Sequence, residues 1–284
     1  MYRRAKRVPV NPPETFSPKT YWEERLAGAY DLQGVGYASL GLPYNRWLYR
    51  VRRRVFQTAV RSILSADFSG KVLDVGSGTG FYIDQWKAAG LKDITGSDLT
   101  ETAVARLREK YPGYRFSLLD IGAGECGFEP ESFDYISAFD VFFHIVDTGR
   151  YVSAIDNVHA LLKSRGWFLW SDNFLQNGRE LIAQHQVSRS LDRTTAILRE
   201  AGFEIVARKP MFWLMNAPID SKSLLLQKWW RILERLLRTH PGLGSPAGAL
   251  LYPLELLLVG LLHESPTTEI MVCRKLLQQR KSSV

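Results

Sequence analysis

Between residues 71 and 210, short apolar runs alternate with amphipathic stretches. "KVLDVG" reads as a strand, "FYIDQWKAAG" as a helix ending at Gly90, and "DITGSD" as a strand; "ETAVARLREKYPG" is a helix with Gly113 beyond its end. "RFSLLD" and "FDYISAFD" are strands and "YVSAIDNVHALLKSRG" a helix; "GWFLWSDNF" is a strand, "LDRTTAILREAG" a helix and "FEIVARKPMFWLM" a strand. Alternation of this kind predicts an α/β fold, a doubly wound and mostly parallel sheet with helices on both faces. A final β-like run, "TTEIMVCRKLL", brings the sheet to seven strands.

The flanks depart from this rhythm. Residues 1–19 are Pro-rich and read as a disordered or draped tail. Residues 20–66 read as an N-terminal helical lid segment, two helical stretches around the Gly-rich loop "AGAYDLQGVGYASLG". The second stretch, Tyr44 to Leu64, has apolar residues at helical spacing: Trp47, Leu48, Val51, Val55, Phe56, Ala59 and Ile63. Residues 67–284 form the main domain, with a helical insertion at about 221–264 before the last strand. Within it "SKSLLLQKWWRILERLLRTH" is a basic amphipathic helix and "GALLYPLELLLVGLLHE" is strongly apolar. The apolar segment is shorter than the ~20 residues a membrane span needs, and it carries Pro253 and Glu255. A buried insertion, or a lid over an apolar substrate, is the expectation.

The 284 residues, 45% hydrophobic and 23% charged, suit a soluble globular chain with a sizeable core. Two distant cysteines, Cys126 and Cys273, without CxxC or Cys/His clusters, argue against a disulfide framework or structural zinc and fit a reducing, cytoplasmic setting. No apolar signal core follows the basic N-terminus. The net charge of +8 is concentrated in "YRRAKR" and "YRVRRRVF", as a solvated helix face plus tail or as a site for a phosphate-bearing partner or an anionic membrane surface.

The stretch "KVLDVGSGTGFYID" carries the chemistry. Phe81 stands where a dinucleotide fingerprint needs its third glycine, and no lysine follows as a phosphate-binding P-loop requires. What remains is G-x-G-x-G at Gly76, Gly78 and Gly80, preceded by Asp74. This resembles the first motif of the class I S-adenosylmethionine-dependent methyltransferases, of the small-molecule type, and the resemblance implies a Rossmann-like sheet. Glycines let backbone pass close under that cofactor, and the next helix offers free N–H groups to a carboxylate. Asp98, followed by Leu99, ends the second strand eighteen residues beyond Gly80, where a carboxylate accepts from ribose hydroxyls. In the resembled family the acid ending the third strand, here Asp120, meets the adenine amino group, and the next residue, here Ile121, adds a backbone N–H and an apolar side chain. "FDYISAFDVFFHIVD" resembles the fourth motif, which implies Phe139 and Asp140 near the methyl-transfer site. The resemblance covers about residues 70–210 and the closing run near 268–275.

Methyl transfer to a hydroxyl needs a base. His144 matches a histidine often seen after the fourth strand in small-molecule members, or it packs in the turn. His185 has Arg189 four residues on, at helical spacing if that stretch is helical, a pair able to grip an acidic group. Asp140 holds the cofactor's amino group or the substrate, or caps a loop. His159 reads as structural. "YWEERLAGAYDLQGVGY" loosely resembles the opening segment of methyltransferases from glycan gene clusters, which implies Tyr30 or Tyr37 closing over the cofactor. The [DNS]-P-P-[YFW] motif of amino-methylating nucleic-acid enzymes is absent after the fourth strand, "NPPE" at Asn11–Glu14 is a decoy, and no metal-ligand spacing stands out. The expectation is an S-adenosylmethionine-dependent methyltransferase acting on a small or lipid-linked, partly hydrophobic substrate at oxygen, with peripheral membrane contact. An RNA or protein methyltransferase and a non-catalytic cofactor-binding subunit are the alternatives.

Overall fold

A computed structural model describes residues 16–64, 69–176 and 180–277; the basic "YRRAKR" run and the "NPPE" decoy lie outside them. The alternating pattern becomes β1 (Lys71–Val75), α3 (Phe81–Ala88), β2 (Asp93–Asp98), α4 (Glu101–Lys110), β3 (Arg115–Leu118), β4 (Phe133–Phe139), α5 (Thr148–Leu161), β5 (Leu162–Asp172), α6 (Leu191–Glu200) and β8 (Phe203–Pro210). Before it come α1 (Pro18–Gly28) and α2 (Gly41–Arg61). A hairpin, β6 (Leu181–Ala183) and β7 (Gln186–Ser188), precedes α6. After β8 come α7 (Leu224–Thr239), α8 (Gly244–Leu261) and β9 (Glu269–Lys275).

The main sheet has seven strands in the order β3-β2-β1-β4-β5-β9-β8. β1 pairs in parallel with both β2 and β4, so the chain reverses direction of travel across the sheet at β1. β9 enters antiparallel between β5 and β8. The central strands are buried on both faces, and alternate residues feed two cores. In β9, Ile270 and Val272 join the core under α2, α3 and α4, while Met271 and Cys273 join the one under α5 and α6. Polar atoms in these cores are tied together. The Trp86 indole N–H donates to Ser137 Oγ at 2.9 Å, and Ser137 donates to Asp74 Oδ1 at 2.6 Å.

The helices start where the sequence places caps. Thr100, Asp147, Ser190 and Ser223 each accept a backbone N–H from the first turn of α4, α5, α6 and α7. Two boundaries differ from the pattern. "KSRG" does not extend α5; Leu162 is already extended and Arg165 takes φ +64, and this stretch runs into β5 with Lys163 paired to Asp134. β8 stops at Pro210, and Met211 to Met215 form a buried loop instead of strand.

That loop is held by α8. Glu255 is fully buried, and its carboxylate accepts the backbone N–H groups of Trp213 at 2.7 Å and Leu214 at 2.8 Å. The insertion therefore packs against α2 and the β8–β9 connection. It is not a buried helix: from Pro241 the helical segment is 21 residues long, and 17% of its apolar window is buried. Glu255→Ala leaves two amides without their charged acceptor and should lower the unfolding free energy by about 3 kcal/mol, read from urea denaturation, whereas Glu255→Gln should recover part of that loss.

Candidate active site

In an open α/β sheet the crevice at a strand-order reversal, beyond the carboxyl ends of the strands, is where ligands bind. Here it holds a cavity of about 530 Å³ at the ends of β1, β2 and β4. Gly76, Gly78, Asp98, Leu99, Asp120, Ile121, Phe139 and Asp140 all line it. Of the predicted cofactor residues, Asp74, Gly80 and Tyr37 do not.

Each exception has a physical reason. Asp74 lies within the sheet, 1% exposed, with Oδ1 bonded to Ser137 and Oδ2 without a partner among the described residues. Burial pushes its carboxyl up to about 7, against the bond from Ser137. Gly80 opens α3, and the Tyr111 hydroxyl donates to its carbonyl at 3.1 Å. Tyr37 stands on a second cavity, against Trp230, with its backbone N–H and carbonyl both bonded to the Asn45 side chain.

The glycine turn is shaped by its neighbours. Gly76 (φ +69) has no room for a Cβ because the Val141 side chain occupies that space, and Gly78 (φ +51) has Val35 of the N-terminal loop 3.0 Å from where its Cβ would be. Asp98 Oδ2 accepts the Gly78 N–H at 2.9 Å, and Oδ1 accepts from the Thr100 N–H and hydroxyl. One carboxylate thus braces the turn and borders the cavity. Asp120 is paired with Arg150, which also lines the cavity.

The N-terminal segment closes this site from above. Tyr30 donates to the Gly78 carbonyl at 2.8 Å, so of the two tyrosines it is Tyr30 that sits on the motif. Glu23 of α1 accepts the Glu101 and Thr102 N–H groups at the start of α4. Arg25 holds the Gly-rich loop by donating to the carbonyls of Gly34 and Gly36, each at 2.6 Å.

A second cavity of about 430 Å³ adjoins the first, and Trp22, Val35, Tyr49, Asp140 and His144 border both. Its wall is rich in hydrogen-bonding side chains, among them Arg25, Asn173, His185, Asn216 and Thr268. At the junction Asp140 adopts φ +60, donates its N–H to Ser171 Oγ, and pairs with Arg52, whose side chain is buried. Arg52 belongs to the run that reads as a solvated basic face. It lies four residues from both Leu48 and Phe56, on the buried stripe of α2, while Arg53 and Arg54 are exposed. That spacing was the available signal. Trp22 had none: its edge packs on the His144 ring at 4.9 Å only because α1 folds back over the sheet.

His144 is held by the hairpin. Its Nδ1 lies 2.8 Å from the His185 carbonyl, an acceptor only, so Nδ1 carries the proton and Nε2 keeps its lone pair. Nε2 has no partner among the described residues. Burial pushes the ring down to about 4, and the carbonyl bond offsets only part of this. His185 itself stacks on Tyr21 at 5.2 Å. The His185–Arg189 clamp does not form, because the stretch is a hairpin and not a helix. Arg189 is buried, 3.8 Å over the Tyr151 ring, and donates to the Ile145 carbonyl. His159 faces Phe203, far from either cavity wall.

A methyltransferase domain family model matches residues 72–166. This span holds the glycine turn, Asp98, Asp120, Asp140 and His144. The chain carries a class I S-adenosylmethionine-dependent methyltransferase domain. No curated protein matches it in sequence. Among solved structures it is similar to a phosphoethanolamine N-methyltransferase of Haemonchus contortus, crystallised with phosphomonomethylethanolamine and S-adenosylhomocysteine (17% identity, 93% of this chain and 61% of that one, TM-score 0.53). It is also similar to the [4+2]-cyclase SpnF (18%, 78% and 80%, TM-score 0.51) and to an S-adenosylmethionine-dependent methyltransferase of Methanosarcina mazei (13%, 78% and 98%, TM-score 0.51). At these identities the likeness is one of fold. The lining of the larger cavity, an acid at the β2 end, Asp120 beside Ile121 and apolar walls at Leu99 and Phe139, fits S-adenosylmethionine.

Three outcomes follow for cofactor binding, read by calorimetry with S-adenosylhomocysteine. Asp98→Ala should weaken binding about 100-fold through loss of charged hydrogen bonds, and Tyr30→Phe severalfold, while Tyr37→Ala should leave affinity unchanged. A pH effect follows from His144, whose ordinary value is 6.5 and whose folded value is about 4. The unfolded chain binds the proton more readily, so this contribution to stability is complete above 6.5 and is lost as pH falls towards 4. His144→Gln should flatten the stability profile across that window in urea titrations.

Proposed function

We propose that the methyltransferase delivers its methyl group to an oxygen of a small or lipid-linked, partly hydrophobic acceptor whose polar end occupies the second cavity, with His144 as general base. The observation that carries this reading is the His185 carbonyl on His144 Nδ1, which leaves the Nε2 lone pair free on a residue that borders both cavities. Burial keeps the ring unprotonated across the physiological range, so Nε2 is free to take a proton as the transfer proceeds, although the same burial lowers its basicity. The fold alone would not argue transfer, since a protein named as a cyclase shares it.

When bound, S-adenosylmethionine supplies a sulfonium methyl open to direct displacement. The chain's own part is alignment and exclusion of water. Trp22 and Val35 cover the junction from the N-terminal segment, and Asp140, fixed by Arg52 and Ser171, keeps the floor in place. Asn173, Asn216 and Thr268 offer donors and acceptors to hydroxyl-bearing acceptors, and Tyr49 and Phe143 give the apolar part of the wall. His144 Nε2 takes the hydroxyl proton as the oxygen–carbon bond forms and the sulfur–carbon bond breaks.

The test uses methyl-labelled S-adenosylmethionine with purified protein and a host-cell extract separated into organic, aqueous and macromolecular fractions, with Asp98→Ala as control. Label in a base-stable methyl ether of the organic or aqueous fraction supports the proposal; label in a base-labile methyl ester, in RNA or in protein overturns it. With the acceptor in hand, His144→Gln should lower kcat by about 100- to 10,000-fold while leaving S-adenosylhomocysteine affinity within twofold.

A further inference from the structure

The insertion offers a surface that the methyl-transfer site does not use. Neither α7 nor α8 lines either cavity. α8 buries the stripe Gly244, Gly248, Leu251 and Glu255, with the Gly248 backbone seated on the Trp47 indole of α2. Its opposite stripe, Leu250, Leu254, Leu257 and Leu261, has the same helical spacing and is 79%, 45%, 55% and 66% exposed. α7 is built alike: Leu226, Trp230, Leu233 and Leu237 are buried, while Leu225, Ile232 and Leu236 face outward among Lys228, Arg231, Arg235 and Arg238.

The charges select the occupant. All four of those cations are exposed, whereas the acids of the two helices, Glu234 and Glu255, are half-buried and buried. Outward leucines on both helices, with the exposed cations of α7 and no exposed acid on either helix, complement an anionic, apolar-cored surface. A second copy of this chain is disfavoured, because a two-fold contact through the same face brings the cations of α7 against themselves. A membrane-crossing α8 is disfavoured too, since it would strip Glu255 from the Trp213 and Leu214 amides and Gly248 from Trp47.

We propose that the outward faces of α7 and α8 dock in the plane of an anionic phospholipid bilayer, leucines at the acyl boundary and Lys228, Arg231, Arg235 and Arg238 among the headgroups. The inner side of α7 places Trp230 against Tyr37 of the second cavity, so the docked face lies one helix away from the acceptor pocket. The inference stands independently of the base and of the atom methylated.

The experiment is flotation of the full chain with phosphatidylcholine vesicles, with and without phosphatidylglycerol, alongside sedimentation without lipid. The chain should float with the anionic vesicles, less as salt is raised, and sediment as a monomer. Leu254→Glu/Leu257→Glu should weaken partition about 100-fold, and Arg235→Glu/Arg238→Glu about 30-fold. S-adenosylhomocysteine affinity and the circular dichroism spectrum should stay at wild-type values, which separates lost docking from lost folding and from any fault in the reading of the active site. No flotation with anionic vesicles, equal flotation of the variants, or a dimer that Leu254→Glu/Leu257→Glu dissociates would each overturn it.

Discussion

The turn from β1 into α3 has to pass between two fixed walls. On one side Val141, just beyond β4, fills the space a Cβ at Gly76 would take; on the other, Val35 of the N-terminal loop closes on Gly78. Only a chain without side chains at those two points threads the gap, and its backbone then forms the floor of the cofactor cavity. Asp98 bonds to the Gly78 N–H and so ties the end of β2 to the same turn. The strand order, the lid and the cavity all meet at this constraint.

The N-terminal segment borders the candidate site as well as covering it. Tyr30 reaches the Gly78 carbonyl, Glu23 caps α4, and Trp22 lies on the ring of His144. Beneath them the Arg52–Asp140 pair joins the lid helix α2 to the end of β4. A buried ion pair contributes little net stability, but breaking one leaves an uncompensated charge. Its value here is positional: Asp140 is held in a left-handed conformation at the border of the two cavities, where a different backbone would move the wall.

Outside the crevice the molecule carries an unusual outer face. Glu255, a buried carboxylate on an otherwise apolar helix, accepts two amides of the β8–β9 connection and thereby keeps α8 lying along the domain. The same bonds leave its leucine stripe turned outward. One buried charge thus decides that an apolar helix is a surface feature.

Local pattern was enough for the sheet and for most of the residues that line the larger cavity. β/α alternation, N-caps and glycines act through nearest neighbours and along the chain, so seven strands, their helices, Gly76, Gly78, Asp98, Asp120 and Asp140 were legible in sequence order. Where contacts cross the fold, the chain by itself misled. The His185 stretch offers a helical spacing to Arg189, yet it pairs as a hairpin whose carbonyl sets the tautomer of His144 forty-one residues away. Arg52 reads as solvated until Asp140 arrives from β4, and Tyr37 and Tyr30 are interchangeable until the loop is seated on Gly78. Burial of α8 follows from which face meets α2, and hydropathy averages that face with the other. The sequence determined the sheet and the glycine turn because those are local constraints; tertiary structure alone decided the second cavity, the orientation of the His144 ring and the exposed face, because each is made by residues distant in the chain.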